Sequence, residues 1–264
     1  MGKIPVNGTE IYFEKKGKGP PLFLVCGFTN HLGMWEKLVP FLSKHFEVIC
    51  FDHRGSGRSG VTPPPYTIDG LTDDIVMLMK GLNISRAYFA GFSMGSAILQ
   101  SLALRHPEKM EKGVLISPFN TLPSTALMQA HSVSKLFQAG VDPALALETI
   151  LPWIFSNRYL SEPDNVTKTI ERLLRDPYPQ PPEGYAGQLA AISSFDLTNK
   201  LEEIETKLLL LAGEKDLYTP LYTVDILEKR MANATLKTYP EMGHMLTAEM
   251  PETVAEEIYA FCKN

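Results

Sequence analysis

Residues 87–96 read AYFAGFSMGS, in which an apolar run ends at a Gly-x-Ser-x-Gly pattern centred on Ser93. Residues 97–104 continue with a helix-forming pattern, so the stretch predicts a strand, a sharp turn and a helix. Glycine on both sides of Ser93 fits a nucleophile held in a strained backbone conformation, where neighbouring side chains would clash. The helix N-terminus behind the serine would favour developing negative charge. An ordinary glycine-rich strand-to-helix turn is the alternative that this pattern alone leaves open.

Apolar strands and helical patterns alternate on both sides of this turn. A hairpin is predicted at Asn7-Gly8, and an amphipathic helix over residues 68–82. A buried strand is predicted at residues 22–26, and further strands are predicted at residues 47–51, 113–117, 207–211 and 235–239. This alternation predicts an α/β fold with a mostly parallel central sheet and helices on both faces. Functional groups are then expected in loops at the carboxyl ends of the strands.

The segment from about Pro118 to Lys200 does not continue the alternation of strands and helices, because it has no convincing apolar strand and contains many prolines. Short helices are expected at residues 144–154, 166–174 and 186–192. We interpret residues 119–200 as a helical cap inserted after the sixth strand. Residues 1–118 and 201–264 would then form the core.

Composition excludes several classes of protein. The chain has 264 residues, 44% of them apolar and 21% charged, and a net charge of −5 without a basic stripe, so no nucleic-acid partner is expected. The longest stretch free of charged residues contains prolines and polar groups, so no membrane span is expected. Three cysteines without a Cys-x-x-Cys pattern and a start without a signal-peptide core favour a cytoplasmic location.

A serine hydroxyl needs a base within hydrogen-bond reach, and the base needs a carboxylate that orients it. The chain offers Asp216 just past the 207–211 strand and His244 just past the 235–239 strand, on the side of the sheet expected for Ser93. No acidic residue follows the 113–117 strand, which is the other position for an acid in such a sheet. The order Ser, Asp, His therefore predicts a nucleophile, an orienting acid and a base.

These motifs resemble those of the α/β-hydrolase-fold superfamily over nearly the whole chain apart from the insertion. The resemblance implies that Ser93 is the nucleophile, His244 the general base and Asp216 the residue that orients the imidazole. It also implies an oxyanion hole formed by the backbone N–H groups of Phe28 and Met94. Many relatives carry His-Gly directly before the position of Phe28, where this chain has Cys26-Gly27.

Further stretches are similar to the group of 3-oxoadipate enol-lactonases, small carboxylesterases and cofactor-free peroxidase-like hydrolases. They are Trp35, DHRGSGRS at residues 52–59, Tyr66-Thr67-Ile68, and the segment from His244 to Glu252. The resemblance implies hydrolysis of a small or medium, largely apolar carboxylic ester or lactone through an acyl-enzyme. No cofactor is expected.

The insertion is expected to supply an apolar pocket, and its candidate pocket residues are Met128, Trp153, Phe155 and Phe195. No cluster of Arg or Lys near the motifs predicts binding of a dianionic substrate. The remaining histidines lack metal-ligand spacing and are expected in loops or on the surface, so no metal site is predicted. They are His31, His45, His53, His106 and His131.

Two other functions remain open at this point. One is a cofactor-free perhydrolase or peroxidase that uses peroxide in place of water on the same three residues. The other is a ligand sensor with slow turnover. The fold alone does not separate these functions. The oligomeric state is unknown.

Overall fold

A single eight-stranded sheet crosses the whole molecule in the computed structural model, which describes residues 1–264. The strands are β1 (Gly2–Val6), β2 (Thr9–Lys16), β3 (Pro21–Val25), β4 (Glu47–Phe51), β5 (Ala87–Phe92), β6 (Met110–Ile116), β7 (Leu208–Gly213) and β8 (Ala234–Tyr239). Their order is β1-β2-β4-β3-β5-β6-β7-β8. β2 pairs antiparallel with both β1 and β4, and every other pairing is parallel. The mostly parallel sheet predicted from the sequence is confirmed.

Twelve α-helices accompany the sheet, with three short 3-10 segments at Leu32–Trp35, Pro107–Lys109 and Thr198–Glu203. The α-helices are α1 (Val39–Leu42), α2 (Ile68–Gly81), α3 (Met94–Arg105), α4 (Ser124–Gln138), α5 (Pro143–Glu148), α6 (Leu151–Ile154), α7 (Asn157–Leu160), α8 (Pro163–Leu174), α9 (Pro182–Ser193), α10 (Leu221–Arg230), α11 (Leu246–Glu249) and α12 (Pro251–Lys263). No α-helix combines the length and apolarity needed to cross a membrane.

Helices bury both faces of the central strands, whose successive residues point to opposite sides of the sheet. In β3, Phe23 and Val25 join the core under α2, α3 and α10, whereas Leu22 and Leu24 join the core under α1 and α12. All four side chains are fully buried. This two-sided burial explains why β3 reads as a continuous apolar run and not as an alternation of polar and apolar residues.

The segment between β6 and β7 is helical, and we call residues 119–200 the inserted segment. Prolines lie in the first turns of α5, α6, α8 and α9. Proline suits this position because it lacks an N–H group that would be unpaired there anyway. The predicted 144–154 helix is divided into α5 and α6. The longest helix of the segment, α4, was not predicted.

Candidate active site

Ser93 lies at the turn between β5 and α3, with φ 52° and ψ −115°. This backbone conformation is rare for a residue with a side chain. Gly91 and Gly95 are required because neighbouring backbone atoms leave no room for a Cβ at either position. A Cβ on Gly91 would lie 2.6 Å from the Gly95 carbonyl oxygen, and one on Gly95 would lie 2.2 Å from the Val25 carbonyl oxygen. The elbow therefore fits only glycine on either side of Ser93.

Three side chains from separate loops meet at this turn. The Ser93 Oγ lies 3.0 Å from the His244 Nε2, and the His244 Nδ1 lies 2.8 Å from the Asp216 Oδ2. All three residues are at least 94% buried. The structure thus brings together the three residues that the sequence placed at the ends of β5, β7 and β8.

The Asp216 carboxylate is held by its own loop. Its Oδ1 accepts hydrogen bonds from the N–H groups of Tyr218 and Thr219, both at 2.8 Å. The Thr219 hydroxyl donates to Oδ2 at 2.7 Å and lies 3.1 Å from the His244 Nδ1. Sequence reasoning missed Thr219. The Asp-x-x-Thr spacing, which favours a side-chain-to-backbone turn, was the signal that could have found it.

The loop that carries His244 is fixed from three sides. The Ser117 Oγ donates to the His244 carbonyl oxygen at 2.7 Å. The Gly243 N–H donates to the Glu249 Oε1 at 3.2 Å, and the Met245 N–H donates to the Ile154 carbonyl oxygen at 2.9 Å. The carboxylate of Glu249 also accepts from the N–H and the hydroxyl of Ser156. The inserted segment is therefore tied to both neighbours of His244.

Two backbone N–H groups beside Ser93 have no protein acceptor. The N–H of Met94 begins α3, where no carbonyl of the same helix can accept it. The N–H of Phe28 lies in the loop after β3, residues 27–30, which we call the Phe28 loop. Neither group donates a hydrogen bond to another residue. This leaves both free for a ligand.

A cavity of about 660 Å³ lies between the inserted segment and the ends of the strands. Ser93, His244, Phe28 and Tyr218 line it from the core, and its other walls come mainly from the inserted segment. Apolar side chains of that segment dominate the wall: Val133, Phe137, Leu147, Ile150, Ile154, Leu173 and Leu174. No Lys or Arg lines the cavity, and Asp176 is the one carboxylate. Burial raises the pKa of the Tyr185 and Tyr218 phenols well above the ordinary value, so both present neutral hydroxyls.

The four pocket candidates chosen from the sequence do not line this cavity. Met128 is 71% exposed, on a side of α4 away from its buried residues. Phe155 stacks on Tyr159, and Phe195 packs edge-on against Phe119. Trp153 is packed against the main core. The prediction was wrong because residue type reveals apolarity but not the direction in which the side chain points.

Residues of the 52–59 stretch form hydrogen bonds with the segment that follows β3. The fully buried Asp52 carboxylate accepts the N–H groups of Leu32 and Arg58, at 2.7 and 2.8 Å. His53 lies in the loop after β4, one of the two expected placements, but it is only 1% exposed, and its Nε2 lies 3.1 Å from the Cys26 carbonyl oxygen. Burial lowers the pKa of His53 to about 4, so the ring is neutral and Nε2 donates. These contacts hold the start of the Phe28 loop.

The arrangement as a whole can support nucleophilic chemistry. A hydroxyl lies within hydrogen-bond reach of an imidazole whose second nitrogen is paired with a buried carboxylate. One free N–H group directly follows Ser93 at the start of α3, and the other belongs to Phe28, which lines the same cavity as Ser93. Such donors can stabilise negative charge on a reacting oxygen. A largely apolar cavity opens onto these groups.

Comparison with known proteins agrees with this architecture. Residues 20–251 match the model of the alpha/beta hydrolase fold. The chain is 27% identical to 3-oxoadipate enol-lactonase 2 of Acinetobacter baylyi, over 92% of this chain and 89% of that one. It is 28% identical to RutD of Serratia proteamaculans, named as a proposed carbamate hydrolase, over 90% of each chain. The crystal structure of the enol-lactonase from Burkholderia xenovorans superposes with a TM-score of 0.87, 28% identity and full coverage of both chains. The chain belongs to the α/β-hydrolase-fold family.

Proposed function

We propose that this hydrolase cleaves a small or medium, largely apolar carboxylic ester or lactone through a covalent acyl-enzyme on Ser93. The observation that carries the proposal is the pair of contacts at His244, 3.0 Å to the Ser93 Oγ and 2.8 Å to the Asp216 Oδ2. In this arrangement, a histidine paired with a carboxylate can accept the proton of a serine hydroxyl as it attacks.

In the first half of the proposed reaction, the Ser93 Oγ attacks the substrate carbonyl carbon and its proton passes to the His244 Nε2. Asp216 keeps the His244 Nδ1 protonated and stabilises the imidazolium. The carbonyl oxygen becomes an oxyanion that accepts hydrogen bonds from the N–H groups of Phe28 and Met94. The C–O bond to the alcohol then breaks, and the imidazolium returns its proton to the leaving alkoxide.

In the second half, water attacks the acyl carbon and gives its proton to His244. The bond between Ser93 and the acyl group breaks, the proton returns to the Ser93 Oγ, and the carboxylic acid leaves. For a lactone, the alcohol and the acid belong to one molecule, so the product is a hydroxy acid.

The lining of the cavity supports an uncharged substrate. A free carboxylate would find no Lys or Arg in the wall, where the one carboxylate, Asp176, is already paired with the His31 Nε2 at 2.9 Å. The apolar wall suits an acyl or alkyl chain. We further propose that residues 119–200 act as a cap over a core formed by residues 1–118 and 201–264, because the cavity lies between these two parts.

A panel of p-nitrophenyl esters and lactones of graded chain length tests the proposal on the wild type and on Ser93→Ala. We expect saturable hydrolysis that falls at least about a thousandfold in Ser93→Ala. Ester hydrolysis that survives this substitution would refute the mechanism. Peroxide-dependent halogenation well above ester hydrolysis would favour a perhydrolase. Labelling by a fluorophosphonate without turnover of any panel member would favour a sensor.

A further inference from the structure

Gln188, on α9 of the inserted segment, is a fully buried amide that contacts the loop beside the elbow. Its Oε1 accepts the N–H of Thr29 at 3.3 Å. Its Nε2 donates to the Arg54 carbonyl oxygen at 3.2 Å and to the Ser56 Oγ at 3.3 Å. One side chain therefore joins three segments: the inserted helix, the 52–59 stretch and the Phe28 loop.

The residue held by this amide is in a strained conformation. Thr29 has φ 66°, in the left-handed region that β-branched residues rarely adopt. It directly follows Phe28, whose free N–H is one of the two proposed oxyanion donors. A turn closed by the Asn30 N–H and the Gly27 carbonyl oxygen at 3.2 Å is the other hydrogen bond of this loop. Without a partner for Thr29, the strained peptide would be free to relax.

The helix that carries Gln188 is itself seated tightly. A Cβ on Gly184 would lie 1.9 Å from the Gly55 carbonyl oxygen, and one on Gly187 would lie 2.5 Å from the ring of Tyr66. The Tyr66 N–H also donates to the Gly187 carbonyl oxygen at 3.3 Å. Because α9 approaches the 52–59 stretch at backbone distance, the position of the Gln188 amide is fixed relative to the core.

We propose that Gln188 is a positioning residue that holds the Phe28 loop in the shape needed for oxyanion binding. The inserted segment thereby completes the oxyanion site as well as shaping the cavity. Gln188 does not line the cavity, so it acts through Thr29 and Phe28 and does not touch the substrate. The inference rests on the proposed function, since it assigns the Phe28 N–H to the oxyanion.

The test compares Gln188→Met, which keeps length and removes the amide, with Thr198→Val as a matched control. Thr198 accepts a hydrogen bond from the buried Asn120 Nδ2 at 2.6 Å, also near the base of the inserted segment, but touches neither the Phe28 loop nor the cavity. For the p-nitrophenyl ester hydrolysed fastest, we expect kcat of Gln188→Met to fall about 10- to 100-fold, with KM within about threefold. Thr198→Val should retain kcat within about twofold.

A second readout separates positioning from loss of stability. An alkylboronic acid forms a tetrahedral adduct with the serine that mimics the oxyanion, whereas an alkyl amide with the same chain binds as a ground-state analogue. Gln188→Met should weaken boronate inhibition by about the same factor as kcat/KM and leave the Ki of the amide within about twofold. Equal loss of both affinities, or no loss of either, would overturn the inference.

Folding of each variant is checked by circular dichroism and thermal melting. If Gln188→Met does not fold, Ser56→Ala replaces it, because it removes one of the two acceptors of the Gln188 Nε2. We then expect a two- to fivefold fall in kcat with the same boronate-specific effect. Unchanged kcat and boronate affinity would overturn the inference. If hydrolysis depends on Ser93 but the Gln188 variant is unaffected, the proposed function stands and the role of Gln188 is refuted. If hydrolysis does not depend on Ser93, both the proposed function and the role of Gln188 are refuted.

Discussion

Replacement of Glu249 by Ala should both destabilise the protein and slow the reaction. The Glu249 carboxylate accepts the Gly243 N–H at 3.2 Å and the Ser156 N–H at 3.0 Å, together with the Ser156 hydroxyl. No salt bridge involves it, so these donors are its partners within the protein. Gly243 directly precedes His244, and a Cβ on Gly243 would lie 2.6 Å from the Ser156 nitrogen. The carboxylate therefore links the inserted segment to the loop that carries His244, where the two backbones pack closely.

Hydrogen bonds to a charged group each contribute about 1.5–3 kcal/mol, but water can replace some of them because Glu249 is only partly buried. We expect Glu249→Ala to lower the free energy of unfolding by about 3 kcal/mol and Tm by about 6–12 °C. We also expect kcat to fall about tenfold, because His244 would lose its fixed position relative to Ser93. Glu249→Gln keeps two acceptor bonds through its amide oxygen and should lose about 1 kcal/mol.

Urea unfolding followed by circular dichroism gives the free energies, and ester hydrolysis on the same preparations gives kcat. Glu252→Ala is the matched control, since Glu252 is an exposed residue in the first turn of α12 without a side-chain hydrogen bond. Its loss should cost about 0.3–1 kcal/mol through the helix dipole and leave kcat unchanged. If Glu249→Ala behaves like Glu252→Ala in both assays, the reasoning about this contact is wrong.

Three further predictions follow from the buried and cavity-lining groups. The pKa of His53 is about 4 in the folded protein and about 6.5 in the unfolded chain, so the unfolded chain binds a proton more readily. The free energy of unfolding should therefore fall by about 3 kcal/mol as the pH falls from 6.5 to 4. Urea unfolding at several pH values should show a smaller fall for His53→Gln. Asp176→Asn should raise kcat/KM for an ester with a terminal carboxylate by about threefold relative to the neutral ester of equal length, a modest effect because His31 already pairs with this carboxylate, and an unchanged ratio would argue against the charge effect. Gly95→Ala places a Cβ 2.2 Å from the Val25 carbonyl oxygen, so we expect a loss of at least about 3 kcal/mol on unfolding and little remaining hydrolysis, and a wild-type melting curve would contradict this.

The central part of the fold was predictable because its signals are local and repeated. The strands from β3 to β7 contain short apolar runs, and Gly-x-Ser-x-Gly demands a backbone that only one kind of turn supplies. Asp216 and His244 could be placed because each follows a strand end. The three side chains meet because parallel strands end at the same edge of the sheet.

The inserted segment was harder to predict for physical reasons. The buried stripe of α4 is Ala126, Ala130 and Val133, whose small side chains give a weak hydropathy signal. Its cavity-facing residues, such as Gln129 and Phe137, lie on another stripe with spacings of four residues. The many prolines of this segment also obscure its helices, although Pro143, Pro152, Pro163 and Pro182 lie in the first turns of helices and do not interrupt them.

Contacts between distant segments could not be predicted from one sequence at all. Gln188 meets Thr29 across 159 positions, and Ser156 meets Glu249 across 93. Such pairs depend on how the inserted segment is seated, which follows from packing and not from any local pattern. His53 lies in a loop as the sequence allows, but its burial beside the Cys26 carbonyl oxygen depends on packing that no local pattern shows.

The most direct test of the account is the site of covalent labelling. The wild type is incubated with a fluorophosphonate, or quenched with acid during turnover of a slowly deacylated ester, and then digested and analysed by peptide mass spectrometry. The account predicts one adduct, on Ser93, that is absent in Ser93→Ala and forms at least about a hundredfold more slowly in His244→Ala. An adduct on another residue, or labelling that proceeds at the wild-type rate without His244, would contradict it.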